Sequence, residues 1–266
     1  MLDSFNRNIN YLRISVTDRC NLRCFYCMPE KGVRLLSHNE ILSFEEITEV
    51  VKVASEMGVT KVRITGGEPL VRKGIISLIE QIKRIPTITD LSMTTNGILL
   101  EEYAKDIAGA GIKRINISLD TVDPEKYKEI TRGGDLRKVI KGIIAAKKAG
   151  LHPIKINCVV EKSPEKPDAI GVKDFCKKTG LEVRFIKIMN LEKGHFSIVN
   201  GGSGGDCLHC NRLRLTANGK IKPCLFNDIE FDVRKLGAAQ ALREAIKYKP
   251  ECGTFSKNGS FNKIGG

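Results

Sequence analysis

The sequence lacks the long apolar runs that mark membrane and exported proteins. No stretch of its 266 residues approaches the roughly 18 consecutive apolar residues of a membrane span. The opening MLDSFNRNINYL has no basic start followed by an apolar core, so no signal peptide is expected. An internal repeat of fixed period is also missing. We therefore expect a globular cytoplasmic protein that contacts no membrane, with 41% apolar residues available for a core.

Acidic residues are outnumbered by basic ones, and the net charge is +13. This excess suits an anionic ligand such as a phosphate or a nucleic acid, but a lysine-rich solvated surface would give the same value. The basic residues do not form a basic helix with interleaved aromatics, which disfavours a nucleic-acid-binding module. In the cytoplasm, the nine cysteines are expected to be metal ligands or free thiols rather than disulfides.

Six short segments rich in Val, Ile and Thr alternate with helical patterns, which predicts a parallel sheet. The strands are expected at 11–17, 61–65, 90–95, 114–119, 154–160 and 182–188. In SFEEITEVVKVASEMG, Ser43 and Glu46 have the spacing of a capping box and Gly58 can end the helix. The apolar residues Ile47, Val50, Val51, Ala54 and Met57 recur there at helical spacing, and similar stripes run through IISLIEQIKRI, LLEEYAKDIAGAG and LRKVIKGIIAAKKAG. The alternation fits an open doubly wound sheet or a barrel, and the linker-like VNGGSGGD predicts a domain boundary between 1–200 and 201–266.

Three cysteines crowd the loop after the first predicted strand. Cys20, Cys24 and Cys27, here called the first triad, form a C-x₃-C-x₂-C pattern. Parallel α/β folds bind ligands at this carboxyl end of the strands. A structural zinc site wants four ligands, and His38, the candidate fourth, is expected at the surface just before a helix. Three thiolates on a four-iron cluster leave one iron open, so the pattern favours a cluster over zinc.

A second triad follows the linker. Cys207, Cys210 and Cys224 form a C-x₂-C-x₁₃-C pattern, again with no evident fourth ligand. Halves of zinc ribbons look partly similar, so structural zinc stays an alternative. The presence of two triads in one chain weakens the zinc alternative, because structural zinc sites normally have all four ligands. No chemistry is needed for the remaining cysteines, Cys158, Cys176 and Cys252, since buried free cysteine behaves as a small apolar residue.

These motifs resemble those of the radical S-adenosylmethionine (SAM) superfamily. Its cluster motif also carries an aromatic residue, here Tyr26, before the last cysteine, and ITGGEPL at 64–70 resembles its glycine-rich SAM-binding turn. CNRLRLTANGKIKPCLF and the terminal FNKIGG are similar to the GTP 3′,8-cyclase family, which begins molybdenum cofactor biosynthesis. The resemblance covers residues 5–190 and 206–266.

The resemblance implies an α/β fold, an incomplete parallel (β/α)₆ barrel whose carboxy-terminal segment closes it and carries a second iron–sulfur cluster. It implies a lyase with two [4Fe-4S] clusters and SAM that converts GTP into (8S)-3′,8-cyclo-7,8-dihydroguanosine 5′-triphosphate. A radical derived from SAM at the first cluster would take the 3′ hydrogen of GTP, while the second cluster would hold the guanine.

The family's site residues can be matched one by one. The first triad matches the SAM cluster, and the second triad matches the auxiliary cluster. The positions that contact SAM match Tyr26, Gly67, Ser118 and Met189. The positions that contact GTP match Arg13, Arg63, Thr94, Lys155, Arg212 and Arg214. The basic members also have a rationale of their own, because cations inside a barrel need an anionic partner, either a triphosphate or an internal salt bridge.

Further expectations concern partners and alternatives. The resemblance implies an electron donor such as flavodoxin or ferredoxin, a downstream cyclic pyranopterin monophosphate synthase, and a monomer or homodimer that binds no nucleic acid. It also implies that Gly265 and Gly266 reach the active site. The segment at 191–206 is much shorter than in the family, which affects the pocket wall and any dimer contact. Two alternatives stay open: a radical SAM enzyme acting on a peptide or another nucleotide, and a zinc-stabilised nucleic-acid-binding module.

Overall fold

The structure, a computed structural model, describes residues 1–161, 163–257 and 264. The terminal Gly265 and Gly266 lie outside the described residues. Within them, each of the six predicted strands forms, and three more follow. The strands are β1 (Tyr11–Ser15), β2 (Lys61–Thr65), β3 (Asp90–Thr95), β4 (Arg114–Ser118), β5 (Ile154–Val160), β6 (Glu182–Lys187), β7 (Arg212–Leu215), β8 (Lys220–Lys222) and β9 (Phe231–Asp232).

All nine strands belong to one sheet with the order β6-β5-β4-β3-β2-β1-β7-β8-β9. Neighbours from β6 through β1 to β7 pair in parallel, and β8 and β9 add antiparallel pairs at one edge. Since β6 and β9 end the order of the described strands, the sheet is not a closed barrel. The expected incomplete parallel barrel is confirmed.

The carboxy-terminal segment continues this sheet. Strand β7 pairs along its whole length with β1, the first strand of the chain. The predicted boundary near residue 200 stays a prediction, but the residues after it extend the same sheet. The chain therefore places its first strand beside the last strand that pairs in parallel.

Helices connect the parallel strands β1 to β6 in chain order, and two further helices follow β9. They are α1 (Phe44–Glu56), α2 (Ile75–Lys83), α3 (Leu100–Gly109), α4 (Pro124–Thr131), α5 (Leu136–Lys148), α6 (Pro167–Thr179), α7 (Val233–Leu236) and α8 (Ala238–Lys247). The predicted capping box is confirmed at α1: the Glu46 amide donates to Ser43 Oγ at 3.2 Å, and the Ser43 amide donates to Glu46 Oε2 at 2.7 Å. In the described part of the chain, no helix combines the length and apolar character needed to cross a membrane.

The main core lies between the sheet and these helices. Along β1, Leu12 and Ile14 are buried in it, and α1 adds the predicted stripe that includes Ile47, Val50 and Ala54. Alternation along β1 turns Arg13 to the opposite face. One face of the sheet thus packs against the apolar core, and the other face carries polar side chains such as Arg13.

The packing of α3 against α5 leads to a test of this core. A Cβ at Gly142 would lie 2.6 Å from the Gly97 carbonyl oxygen and 2.9 Å from Leu100 Cβ, whereas a Cβ at Gly109 would meet nothing within 4 Å. We expect Gly142→Ala to lower the free energy of unfolding by about 1–3 kcal/mol through overpacking. The control Gly109→Ala should be neutral or stabilising by up to about 1 kcal/mol. Urea unfolding followed by circular dichroism measures both, and equal effects would contradict the packing described.

Candidate active site

The first triad lies on a loop that is folded tightly after β1. The amide of Cys27 donates to the Cys24 carbonyl oxygen at 2.9 Å, which closes a turn between the two cysteines. The amides of Arg23 and Phe25 donate to carbonyl oxygens in the last turn of α4, each at 3.1 Å. The loop is therefore held by backbone contacts to a helix end, and its cysteines are pre-positioned.

The cysteines of the first triad are partly buried. Burial raises the pKa of Cys20 to about 11 and the pKa values of Cys24 and Cys27 to about 12. At neutral pH these groups are neutral thiols in the metal-free chain. A metal held by this triad would displace their protons, because the thiolate is the form that binds metal.

The glycine pair after β2 packs against this same loop. A Cβ at Gly67 would lie 2.3 Å from the Arg19 carbonyl oxygen, and one at Gly66 would lie 2.9 Å from the Thr17 carbonyl oxygen. The Gly67 amide also donates to Thr17 at 2.7 Å. Close packing on the backbone of the cysteine loop therefore favours glycine at both positions. The contact of Gly67 with SAM stays a prediction.

Two buried carboxylates, both missed by sequence analysis, brace the loops around the first triad. Glu68 accepts hydrogen bonds from Thr95 Oγ1 and the Asn96 amide, both at 2.7 Å, and burial raises its pKa to about 7. Asp120 accepts the Tyr26 hydroxyl at 2.7 Å, and burial raises its pKa to about 6. Their positions in the sequence could have indicated this role, because each acid closely follows the carboxyl end of a strand.

The second triad is assembled at the opposite end of the sheet. Cys207 and Cys210 precede β7, and the hairpin of β7 and β8 turns the chain back so that Cys224 joins them. The Cys210 amide donates to the Cys207 carbonyl oxygen at 3.2 Å. Because β7 runs parallel to β1, residues before β7 lie at the amino end of the strands. The first triad follows β1 and lies at the carboxyl end.

A buried arginine ties the second triad to both ends of the chain. The Arg7 guanidinium donates to the carbonyl oxygens of Cys207 at 2.8 Å and of Pro250 and Glu251 at 2.7 Å. It also forms an ion pair with buried Asp3 at 2.7 Å. Sequence analysis missed Arg7, because a basic residue in an irregular segment carries no periodic signal.

Cys252 lies beside the second triad. A side-chain hydrogen bond to Cys207 raises the pKa of Cys252 to about 11. A Cβ on the next residue, Gly253, would lie 3.1 Å from Cys224 Sγ. The cysteine that the sequence left without a role is thus a direct neighbour of two expected cluster ligands.

The donor sets can be compared with what zinc and clusters need. In residues 1–161, 163–257 and 264, no three His, Cys, Asp or Glu side chains converge on a position for one metal ion. A zinc site draws its sulfur ligands to about 2.3 Å from a single ion. A cluster instead takes one thiolate on each of several irons. Two separate sets of three cysteines fit the cluster arrangement.

One cavity of about 460 Å³ connects the two triads. Cys27 lines it from the first triad, and Cys207, Cys210 and Cys224 line it from the second. Residues between 196 and 206 form part of its wall. The shortened segment at 191–206 therefore contributes directly to the cavity wall. The cavity runs along the strands from one end of the sheet to the other.

Strand register places three arginines side by side in this cavity. Arg13 on β1 is in register with Arg63 on β2 and with Arg214 on β7, and all three line the cavity. Burial and neighbouring arginines lower the pKa of Arg13 well below its usual value and lower that of Arg214 to about 10. Like charges in register destabilise a sheet. The row therefore suits a multiply charged anion.

A second row lies two residues earlier on the same face. Tyr11 is in register with Lys61 and Arg212. Although burial acts to raise the pKa of Tyr11, Arg63 and the other arginines lower it. Nε of Arg63 and Nε of Arg212 are buried without a hydrogen-bond partner among the described residues. Buried donors of this kind favour an added acceptor.

Most of the residues that the sequence assigned to SAM and substrate meet in this cavity. Those that line it are Tyr26, Ser118, Met189, Arg13, Arg63, Thr94, Arg212 and Arg214. Lys155 is not among the lining residues of the described chain, and its ammonium pairs with Glu182, which is the internal salt bridge considered as an alternative. Arg184 lines the cavity and was missed, although alternation along EVRFIK puts it on the face of Ile186.

A parallel sheet whose first strand leads into a C-x₃-C-x₂-C loop facing an internal cavity defines a radical SAM protein. Residues 14–162 match the model of the radical SAM superfamily. Residues 173–251 match the model described as Molybdenum Cofactor Synthesis C. The GTP 3′,8-cyclase of Thermodesulfovibrio yellowstonii is 43% identical, covering 93% of this chain and 91% of that protein. The GTP 3′,8-cyclase of Petrotoga mobilis is 39% identical, covering 99% and 98%. The chain therefore belongs to the GTP 3′,8-cyclase family within the radical SAM superfamily.

Solved structures support the fold. Streptococcus suis SuiB bound to S-adenosylmethionine has a TM-score of 0.65 at 17% identity, covering 92% of this chain and 66% of that chain. Native anSMEcpe with bound AdoMet has a TM-score of 0.64 at 17% identity, covering 91% and 81%. The alignments to the two cyclases extend over 293 and 315 positions, more than the 266 residues present here. The relatives thus contain residues that this chain lacks.

The contacts of Arg7 generate a prediction for the second triad. Arg7→Met would leave three carbonyl oxygens and the Asp3 carboxylate without their buried donor, which loosens the segment around Cys207. We expect iron content after anaerobic reconstitution to fall by about four atoms per chain, the content of one cluster. Arg243→Met, at an exposed position of α8, is the matched control and should retain its iron. Full iron content in Arg7→Met would show that the contacts are dispensable.

Proposed function

We propose that this chain acts as a GTP 3′,8-cyclase, converting GTP into (8S)-3′,8-cyclo-7,8-dihydroguanosine 5′-triphosphate in the first step of molybdenum cofactor biosynthesis. Relatives that cover nearly the whole chain carry this name. The observation that carries the proposal is one cavity lined by Cys27, by the second triad and by the arginine rows. A reaction that brings two cluster sites and a polyanionic substrate together fits this arrangement.

The cofactor assignment follows the two triads. The first triad would hold the cluster that binds SAM, and the second would hold the cluster that binds guanine. When bound, the clusters and SAM supply the one-electron and radical chemistry that side chains do not offer. The chain itself binds and orients the reactants, and residues between 196 and 206 form part of the cavity wall.

Arginines bind the triphosphate in this proposal. Arg13, Arg63 and Arg214 present adjacent guanidinium groups, and Arg212 lies at the neighbouring register position. Thr94 Oγ1 accepts a hydrogen bond from Arg63 at 3.4 Å and orients it. The predicted contact of Lys155 with GTP requires its ammonium to leave Glu182.

The SAM side is formed by residues from three strand ends. The hydroxyl of Tyr26 is held by Asp120, which fixes the aromatic ring next to Cys27. Ser118, at the end of β4, and Met189, after β6, line the cavity. These residues position SAM in the proposal, together with backbone near Gly67.

Partners follow from the family alone. An electron donor such as flavodoxin or ferredoxin would reduce the first cluster, and cyclic pyranopterin monophosphate synthase would take up the product. A cytoplasmic monomer or homodimer fits these roles.

Peptide modification is the main alternative. One similar solved structure is SuiB bound to its precursor peptide, but at 16% identity that likeness extends only to the fold. The three arginines in register across β2, β1 and β7 favour a polyanion over a peptide. A nucleotide is therefore the better-supported substrate class.

Separate replacement of the two triads tests the assignment of roles. Changing Cys20, Cys24 and Cys27 to Ala should abolish reductive cleavage of SAM, because the SAM-binding iron is lost. Changing the second triad to Ala should leave SAM cleavage measurable and stop cyclisation. Chromatography of 5′-deoxyadenosine and of the cyclised nucleotide measures both steps. Cyclisation by the second variant would show that the second triad does not hold the guanine.

Trimming the phosphates of the substrate tests the arginine rows. Each lost charge-assisted hydrogen bond removes roughly 1.5–3 kcal/mol, about tenfold or more in affinity, so affinity should fall steeply from GTP to GDP to GMP. Arg212→Ala should weaken GTP binding and leave SAM binding unchanged, while the exposed control Arg84→Ala should alter neither. Anaerobic isothermal titration of the reconstituted protein measures these affinities. Equal affinity for GTP and guanosine would point to a different substrate.

A further inference from the structure

Lys249 is a buried cation placed directly on a cysteine of the second triad. It follows α8 by two residues and is 3% exposed. Its ammonium donates to Cys210 Sγ at 3.4 Å, to the Arg212 carbonyl oxygen at 2.9 Å and to the Pro223 carbonyl oxygen at 2.7 Å. Three donors meet three acceptors, so the ammonium has a defined direction.

The charge of Lys249 needs an anionic partner. A buried charge is costly unless it is paired. Among the described residues, the ion pairs between basic side chains and carboxylates do not include Lys249. The sulfur that accepts its hydrogen bond directly is Sγ of Cys210. The ammonium is therefore placed to compensate thiolates that carry a cluster.

The first triad has a different environment. The described donors to Cys20 Sγ are neutral amides, the Leu22 backbone N–H at 3.4 Å and Asn96 Nδ2 at 3.8 Å. Hydrogen bonds to ligand sulfurs and nearby charge are main determinants of a cluster's reduction potential. A cation on one triad and neutral donors on the other would separate the two potentials.

We infer that Lys249 is a positioning residue of the second cluster that orients Cys210 and raises the cluster's reduction potential through a charged N–H···S hydrogen bond. The inference rests on the proposed function in one respect, that the second triad carries a cluster. It assigns to a residue outside the cysteine motif the task of making the second cluster easier to reduce.

The test is a redox titration in the full-length chain with Cys20, Cys24 and Cys27 replaced by Ala, so that only the second cluster contributes to the electron paramagnetic resonance signal. In this background, Lys249→Met removes the charge and Lys249→Arg keeps it. Lys247→Met, at an exposed position two residues earlier, is the matched control. We expect Lys249→Met to lower the equilibrium constant for reduction about tenfold, which is about 59 mV for one electron. The other two variants should titrate as the parent does.

The possible outcomes separate this inference from the proposed function. An unchanged potential in an iron-loaded Lys249→Met variant would overturn the inference alone and leave Lys249 as a structural tie. If Lys249→Met does not retain iron, Lys249→Gln joins the comparison: iron loss in Met and Gln but not in Arg supports the need for charge, and loss in all three contradicts it. A parent second triad that takes up zinc instead of iron would refute both the proposed function and the inference.

Discussion

The parallel pairing of β1 between β2 and β7 is the constraint on which the rest of the structure depends. It joins the first strand of the chain to the last strand that pairs in parallel. It places the first triad at the carboxyl end of the parallel strands and the second triad at their amino end. The same register aligns Arg63, Arg13 and Arg214 in one row between them. The position of one strand thus sets where the two triads and the arginine row lie.

The row of arginines across β2, β1 and β7 is electrostatically unfavourable within the sheet. Adjacent buried guanidinium groups repel one another, and burial lowers the pKa of Arg13 and Arg214. The apolar face of the sheet, with Leu12 and Ile14 in the main core, must hold the strands together against that repulsion. The proposed anionic ligand would relieve the repulsion and gain charge-assisted hydrogen bonds.

Sequence predicted the elements well because their signals are local. The six parallel strands, the Ser43 capping box and the spacing of both triads can each be found within a few residues.

The contacts that a residue makes with neighbouring strands could not be predicted from such local patterns. The salt bridge of Lys155 to Glu182 and the place of Arg184 in the cavity depend on pairing with distant strands. The contacts of Arg7 and Lys249 with the second triad involve irregular segments with no periodic pattern. The glycine pair was recognised from the sequence. Its packing against the cysteine loop was not, because the two segments are distant in the sequence.

The central claim is that two clusters with an open iron each share one cavity. Mössbauer spectroscopy of protein reconstituted anaerobically with ⁵⁷Fe and sulfide tests it most directly. The account predicts about eight irons per chain, as two four-iron clusters, with SAM perturbing one iron of the first cluster and GTP perturbing one iron of the second. Zinc with little iron, or a spectrum that GTP leaves unchanged, would contradict it.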